Sequence, residues 1–138
     1  MENNGLPKFE VIVLGIIFDP IKKKILISKR KSDPYIKELD WCFPGGRLEV
    51  GEDIDQALKK KVKLKTGYSV KNIGTFFSRT YEERPELVSI SFLTKVFEGE
   101  EKPGDDIVEL KWVNVDEIEN YFKIPMHKKL KEFLLELV

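Results

Sequence analysis

The order of apolar and polar positions divides the chain into short β-type runs around one long helical segment. Phe9 to Phe18 is a nearly continuous apolar, β-branched run, the pattern of a strand covered on both faces. Asp19-Pro20 and the lysines at 22–24 predict a turn, and Ile25 to Lys29 returns as a second strand. Arg30 to Asp40, with Ser32-Asp33-Pro34 inside it, reads as a polar loop. Trp41 and Phe43 flank Cys42 at the end of another strand, which Pro44-Gly45-Gly46 interrupts. Farther on, Val70 to Tyr81 predicts a strand with a bulge at Gly74, and Tyr81 to Glu86 a turn. Val88, Ile90, Phe92 and Val96 alternate with Ser89, Ser91 and Lys95, so this half-exposed strand completes a hairpin. An acidic Gly/Pro loop, Gly99 to Asp106, precedes a strand with Val108, Leu110 and Trp112. Val115 to Ile118 begins a short helix. Met126, Leu130, Phe133, Leu134 and Leu137 then recur at the spacing of an amphipathic C-terminal helix.

The central helix is predicted over 53–66. Asp53 and Gln56 stand in a capping-box arrangement, and Gly67 suits the left-handed residue that ends a helix. Its periodicity puts Ile54, Ala57, Leu58, Val62 and Leu64 on one inward arc, with Lys59, Lys60 and Lys63 opposite. Lys61 and Lys65 fall in the middle of the apolar arc, and two readings are open for them. Either both extend along their aliphatic stems to water, or the arc faces a cleft and both ammonium groups point into it. Strands on both sides of this helix, with a terminal helix, predict the α/β class and a sandwich with a mixed sheet. A single domain over 1–138 is expected, with residues 1–8 as a flexible N-terminus.

Composition narrows the function classes. A chain of 138 residues with 41% apolar residues has material for one core. Charged residues make up 35%, above the figure of about 25% for ordinary domains. Lysine supplies 20 of the 24 basic side chains, a habit found in heat-adapted proteins. The formal net charge is zero, so no bulk field favours a nucleic-acid duplex or a membrane, and any anion site must be local. Cys42 is the one cysteine, which excludes an internal disulfide and a cysteine-based zinc site. His127, the one histidine, reads as a surface residue at the start of the terminal helix. The N-terminus carries no basic segment followed by an apolar stretch, and Val11 to Phe18 is too short to span a bilayer, so a cytoplasmic location is the expectation.

Gly46, five residues, Glu52, then Lys60 to Tyr68 resembles the Nudix (MutT-like) box, Gly-x5-Glu-x7-Arg-Glu-U-x-Glu-Glu-x-Gly-U with U a bulky apolar residue. Gly46, Glu52, Val62 and Gly67 match, Tyr68 stands in for the last position, and Pro44-Gly45-Gly46 and Arg47-Leu48-Glu49 are typical of the approach. The element order over roughly 9–135 also resembles the Nudix fold, an α/β/α sandwich. That resemblance implies hydrolysis of nucleoside diphosphates linked to another group, with Mg²⁺ or Mn²⁺ held by three helix glutamates. Here those positions are Lys61, Leu64 and Lys65, and the family's arginine, which Glu52 would support, is Lys60.

Hard divalent cations take oxygen ligands, and lysines repel them. No cofactor is therefore assigned, Mg²⁺ or Mn²⁺ entering only if hydrolysis survives. Whether the chain is an enzyme stays open between three readings. In the first, it binds a nucleotide or nucleoside diphosphate derivative with hydrolysis weakened or lost. Lys61 and Lys65 would then hold phosphate directly, aided by Arg30, Gly45, Gly46 and Arg47. In the second, it hydrolyses such derivatives, for example nucleotide sugars, with a relocated metal on Glu49 and Glu52 and with Glu52 and Glu109 as catalytic carboxylates. In the third, it is a non-catalytic interaction domain. Asp105 and Asp106 precede Glu109 on the late loop, where relatives place a catalytic base, but as part of an acidic turn they read first as exposed. Tyr35, Phe76, Phe77 and Tyr81 are candidates to stack on a base.

Overall fold

The computed structural model describes residues 8–31 and 40–138, so the expected flexible N-terminus, apart from Lys8, and Tyr35 lie outside the described residues. Among these the strands are β1 (Glu10–Asp19), β2 (Lys24–Arg30), β3 (Trp41–Cys42), β4 (Gly45–Arg47), β5 (Tyr68–Thr80), β6 (Leu87–Gly99) and β7 (Ile107–Asn114). The helices are α1 (Ile54–Thr66), α2 (Ile118–Tyr121), entered through a 3₁₀ turn at Val115–Glu117, and α3 (Lys128–Glu136).

The long apolar run of β1 makes it the central strand. It pairs parallel with β6, from Glu10 opposite Leu87 to Ile17 opposite Thr94. On its other side β4 runs antiparallel, with Val13 opposite Gly46 and Leu14 opposite Gly45. Asp19 Oδ1 accepts the N–H groups of Ile21 (2.9 Å) and Lys22 (3.1 Å), and this turn swings the chain into β2. β2 then carries β3 on one side and β7 on the other, all antiparallel. One parallel pairing among antiparallel ones makes the sheet mixed, as the pattern predicts. β5 lies at its end, paired with β6 through three register shifts, one of them at the predicted Gly74 bulge.

Alternation along β1 splits the core into two layers. Val13 and Ile17 meet Leu26, Val70 and Phe92 beneath Leu58 and Val62 of α1. Ile16 faces the other way, joining Ile25, Ile27 and Val113 under Ile118, Leu130 and Leu134 from α2 and α3. Both faces are covered, which is why β1 can run from Val11 to Phe18 without a polar side chain.

Asp53 caps α1 by accepting the Gln56 N–H at 3.0 Å. Gly67 closes it at φ 82°, in the left-handed region, with its N–H on Lys63 O. The inward arc is narrower than the periodicity suggests. Ala57, Leu58 and Val62 are buried, but Ile54 is 40% and Leu64 55% exposed. Ile54 sits in the first turn, beyond the sheet's cover, and Leu64 falls off the edge of the arc. Leu58→Ala should therefore cost about 2–5 kcal/mol, and Leu64→Ala no more than about 0.5 kcal/mol. Urea denaturation of the two variants distinguishes them, although the pattern alone treats both as core.

Candidate functional site

The loop from Pro44 and the helix α1 bring Gly46, Glu52, Lys61 and Lys65 together. A Cβ on Gly46 would stand 3.2 Å from Lys61 Cδ and 3.6 Å from Lys65 Nζ, so the absent side chain makes room for both lysines. Their side chains are only 18% and 14% exposed, so neither is a stem running out to open water. Instead each ammonium meets a carboxylate. Lys61 Nζ lies 3.4 Å from Glu52 Oε1, and Lys65 Nζ lies 3.4 Å from Asp106 Oδ1. Lys60, which the resemblance makes the partner of Glu52, is exposed. The Glu52 carboxylate also accepts the Glu49 N–H at 2.8 Å, a bond that leads the causes holding its carboxyl below the ordinary value, ahead of Lys61.

Asp106 corrects the sequence reading. It is no free acidic turn: Arg30 Nε donates to its Oδ2 at 3.1 Å, and its Oδ1 is buried without a hydrogen bond, the nearby Lys65 acting as a charge partner only. Burial works against its charged form, but the Lys65 and Arg30 charges outweigh that and hold the carboxyl below its ordinary value. The loop that carries Asp106 is docked on the end of α1, with Lys102 N–H on Thr66 O (2.9 Å) and Gly104 N–H on Lys65 O (3.2 Å). Asp105 takes a left-handed φ of 55° in that loop. Contacts between segments about 40 residues apart leave no local signal; Gly104-Asp105-Asp106 was visible only as a turn.

Other predicted site residues lie elsewhere. Gly45 is built into the β1–β4 pairing. Arg47 belongs to a separate network in which Glu10 accepts from Arg47 Nη2 (3.2 Å) and from Arg84 Nη2 (2.7 Å). Glu49 is exposed and meets Glu52 through its backbone. Glu109 is exposed on β7, where alternation sets it with Val113, whose side chain joins the layer away from α1, and so apart from the lysines. Among the described residues, no three His, Cys, Asp or Glu side chains group as metal ligands. Two lysines and a leucine offer no oxygen where the resemblance puts the cation, so the residues present there do not fit Mg²⁺ or Mn²⁺.

A cleft of about 540 Å³ opens on the side of the β5–β6 turn, lined by Arg79, Tyr81, Pro85, Met126 and His127 among others. Arg79 lies over the Tyr81 ring at 4.1 Å, and the Tyr81 hydroxyl and Ser89 Oγ are 2.9 Å apart. Phe77 packs on His127 and Phe133, and Phe76 on Phe133, so these rings serve the α3 contact. His127 is more than a surface residue: its Nδ1 accepts the Lys129 N–H at 3.1 Å and caps α3.

A glycine pair feeds a capped helix over a mixed sheet, and charged side chains converge on the second glycine. The NUDIX domain family matches residues 8–137, and the chain belongs to it. An ADP-ribose pyrophosphatase of Methanocaldococcus jannaschii is 35% identical over 100 residues, 69% of this chain and 57% of the relative. This chain therefore spans little more than half of that protein. An 8-oxo-dGTP diphosphatase of Buchnera aphidicola subsp. Schizaphis graminum is 28% identical over 118 residues, 86% of each chain. Among solved structures, a NUDIX hydrolase from Nitrosomonas europaea superposes with a TM-score of 0.78 at 22% identity, over 95% of this chain and 73% of that one. The MutT protein of Methanosarcina mazei Go1 gives 0.75 at 17% identity, over 95% and 94%. At these identities the likeness to the solved structures is one of fold. No helix among the described residues is long and apolar enough to cross a membrane.

The depressed carboxyl of Asp106 gives a pH signature. Its stabilisation is present above the ordinary value of 3.8 and is lost as pH falls through the lower folded-state value. Asp106→Asn should cost on the order of 1 kcal/mol at neutral pH, because a third of the side chain is in solvent. The gap to the native protein should close in strong acid, which urea midpoints at the two pH values would show.

Proposed function

We propose that this domain binds a nucleoside diphosphate derivative, with its diphosphate along Gly46 against Lys61 and Lys65, and that metal-dependent hydrolysis is weakened or lost. The observation that carries this reading is the convergence of both half-buried lysines on Gly46, at positions where the family's pattern has metal-binding glutamates. An ammonium is a point charge that binds phosphate without an intervening cation. Arg30 stands beside the pair through Asp106. The cleft under Arg79 and Tyr81 is of a size for a base or sugar, within the ~300–1,000 Å³ usual for ligand sites. Its Pro85 follows Arg84, which is joined through Glu10 to Arg47, the residue after Gly46. The ADP-ribose and 8-oxo-dGTP relatives support a nucleotide ligand.

A second reading, hydrolysis with a relocated metal, has Glu52 and Asp106 in its favour, since both carboxylates reach the lysine group. Titration calorimetry separates the two. Binding of ADP-ribose should persist in EDTA and weaken about tenfold or more in Lys61→Met or Lys65→Met, the loss of one charged hydrogen bond. Lys59→Met and Lys63→Met, on the outer arc, should change it little. Binding abolished by EDTA, or a micromolar Mg²⁺ or Mn²⁺ site with turnover, would sink the first reading and favour the second.

A further inference from the structure

We propose that Glu10 and Arg84 are positioning residues: they hold the turn that walls the cleft in a fixed place and so set the affinity for the part of a ligand that fills it. The inference rests on the nucleotide-binding reading and adds to it residues outside the lysine group. The turn between β5 and β6 supplies Glu82, Glu83 and Pro85 to the cleft wall. These three and Glu86 are exposed, so burial does little to fix the turn. Its attachments among the described residues are polar. At one end the Tyr81 hydroxyl and Ser89 Oγ stand 2.9 Å apart. Within the turn the Leu87 N–H donates to Arg84 O at 3.0 Å. At the other end Arg84 Nη2 donates to Glu10 Oε2 at 2.7 Å, and its Nε to Glu86 Oε1 at 3.3 Å.

Glu10 is suited to be the joint because its two oxygens serve different segments. Oε2 takes Arg84, and Oε1 takes Arg47 Nη2 at 3.2 Å. Arg47 closes β4, directly after Gly46. The backbone of Glu10 is itself anchored: its N–H donates to Glu86 O at 2.8 Å, and it stands opposite Leu87 in the parallel pairing. One carboxylate at the start of the central strand thus ties the end of β4 and the cleft turn to the same point. The planar guanidinium makes the tie directional, since its N–H groups keep a fixed geometry. Arg47 is 59%, Arg84 39% and Glu10 36% exposed at the side chain, so the network adds little to global stability. Its effect falls on the turn, because a segment with few buried contacts opens locally at low cost. A cleft wall that the ligand must first order costs affinity.

The test measures ADP-ribose binding to the whole protein by titration calorimetry in EDTA, with inorganic pyrophosphate as competitor. Pyrophosphate can occupy the lysines and has nothing to place in the cleft. Glu10→Gln and Arg84→Gln should each weaken ADP-ribose about three- to fivefold, the worth of a surface network of this kind, and leave pyrophosphate unchanged. The double variant should lose no more than either single one, because both break the same joint. The two substitutions change the net charge in opposite directions, so a change of field alone would strengthen anion binding in one and weaken it in the other. Circular dichroism checks folding. Arg84→Lys, which keeps the charge and loses the fork, stands in for a variant that does not fold and should weaken ADP-ribose likewise. Affinity unmoved by these variants while Lys65→Met weakens it overturns the inference alone. So do equal losses for both ligands, opposite effects of the two substitutions, or additive losses in the double variant. ADP-ribose that does not bind, pyrophosphate that does not displace it, or binding indifferent to Lys61→Met and Lys65→Met overturns the nucleotide reading and the inference with it.

Discussion

The last turn of α1 carries the constraint on which the site depends. A helix leaves its final carbonyls without intrahelical partners, and this one meets the need from a distant loop. Lys102 and Gly104 donate to Thr66 and Lys65. Thr66 turns its hydroxyl back to Val62 O at 2.7 Å and accepts the Tyr68 N–H at 3.1 Å, so the chain enters β5 without a free polar group at the junction. The same docking that completes the helix delivers Asp106 to Lys65. Backbone accounting and site electrostatics are therefore one event here, and a change in the 100–106 loop acts on both.

Lysine is at home at this end of a helix, where the backbone dipole favours positive charge. Lys63 shows the ordinary outcome, donating to Gly67 O at 2.9 Å from an exposed position. Lys61 and Lys65 differ because Gly46 draws them inward over the sheet. The glycine pair, Glu52 and Gly67 of the family's pattern are present, while positions 61, 64 and 65 carry Lys, Leu and Lys. Fold and chemistry are separable properties of a chain.

Much of this was legible from the order of residues. β1, α1 with both its ends, the Gly74 bulge and the hairpin of β5 and β6 follow from local patterns: continuous apolar runs, a capping aspartate, a glycine stop, strict alternation. What escaped was set by contacts between distant segments. Leu64 and Leu58 look alike on a helical wheel, yet only the sheet beneath decides which is covered. Asp106 became a site residue through Arg30, 76 positions away, and Glu52 chose Lys61 over Lys60 by the direction its loop approaches the helix. His127 is a local exception: the sequence reads it as a surface residue because imidazole is an uncommon cap, yet its Nδ1 accepts the N–H of Lys129 two residues on.

The three register shifts along β5 have a bearing on how the protein behaves in a crowded solution. A 13-residue strand at the end of a sheet, with one side unpaired among the described residues, is a template for another chain to add to. Each shift breaks the regular row of donors and acceptors and increases the local twist. Breaks after Ser69, at Gly74 and before Phe77 leave no long flat segment on that edge, and exposed Lys71 adds charge to it. The irregular strand that presents Arg79 to the cleft thereby also discourages edge-to-edge association, the first step towards fibrous aggregates.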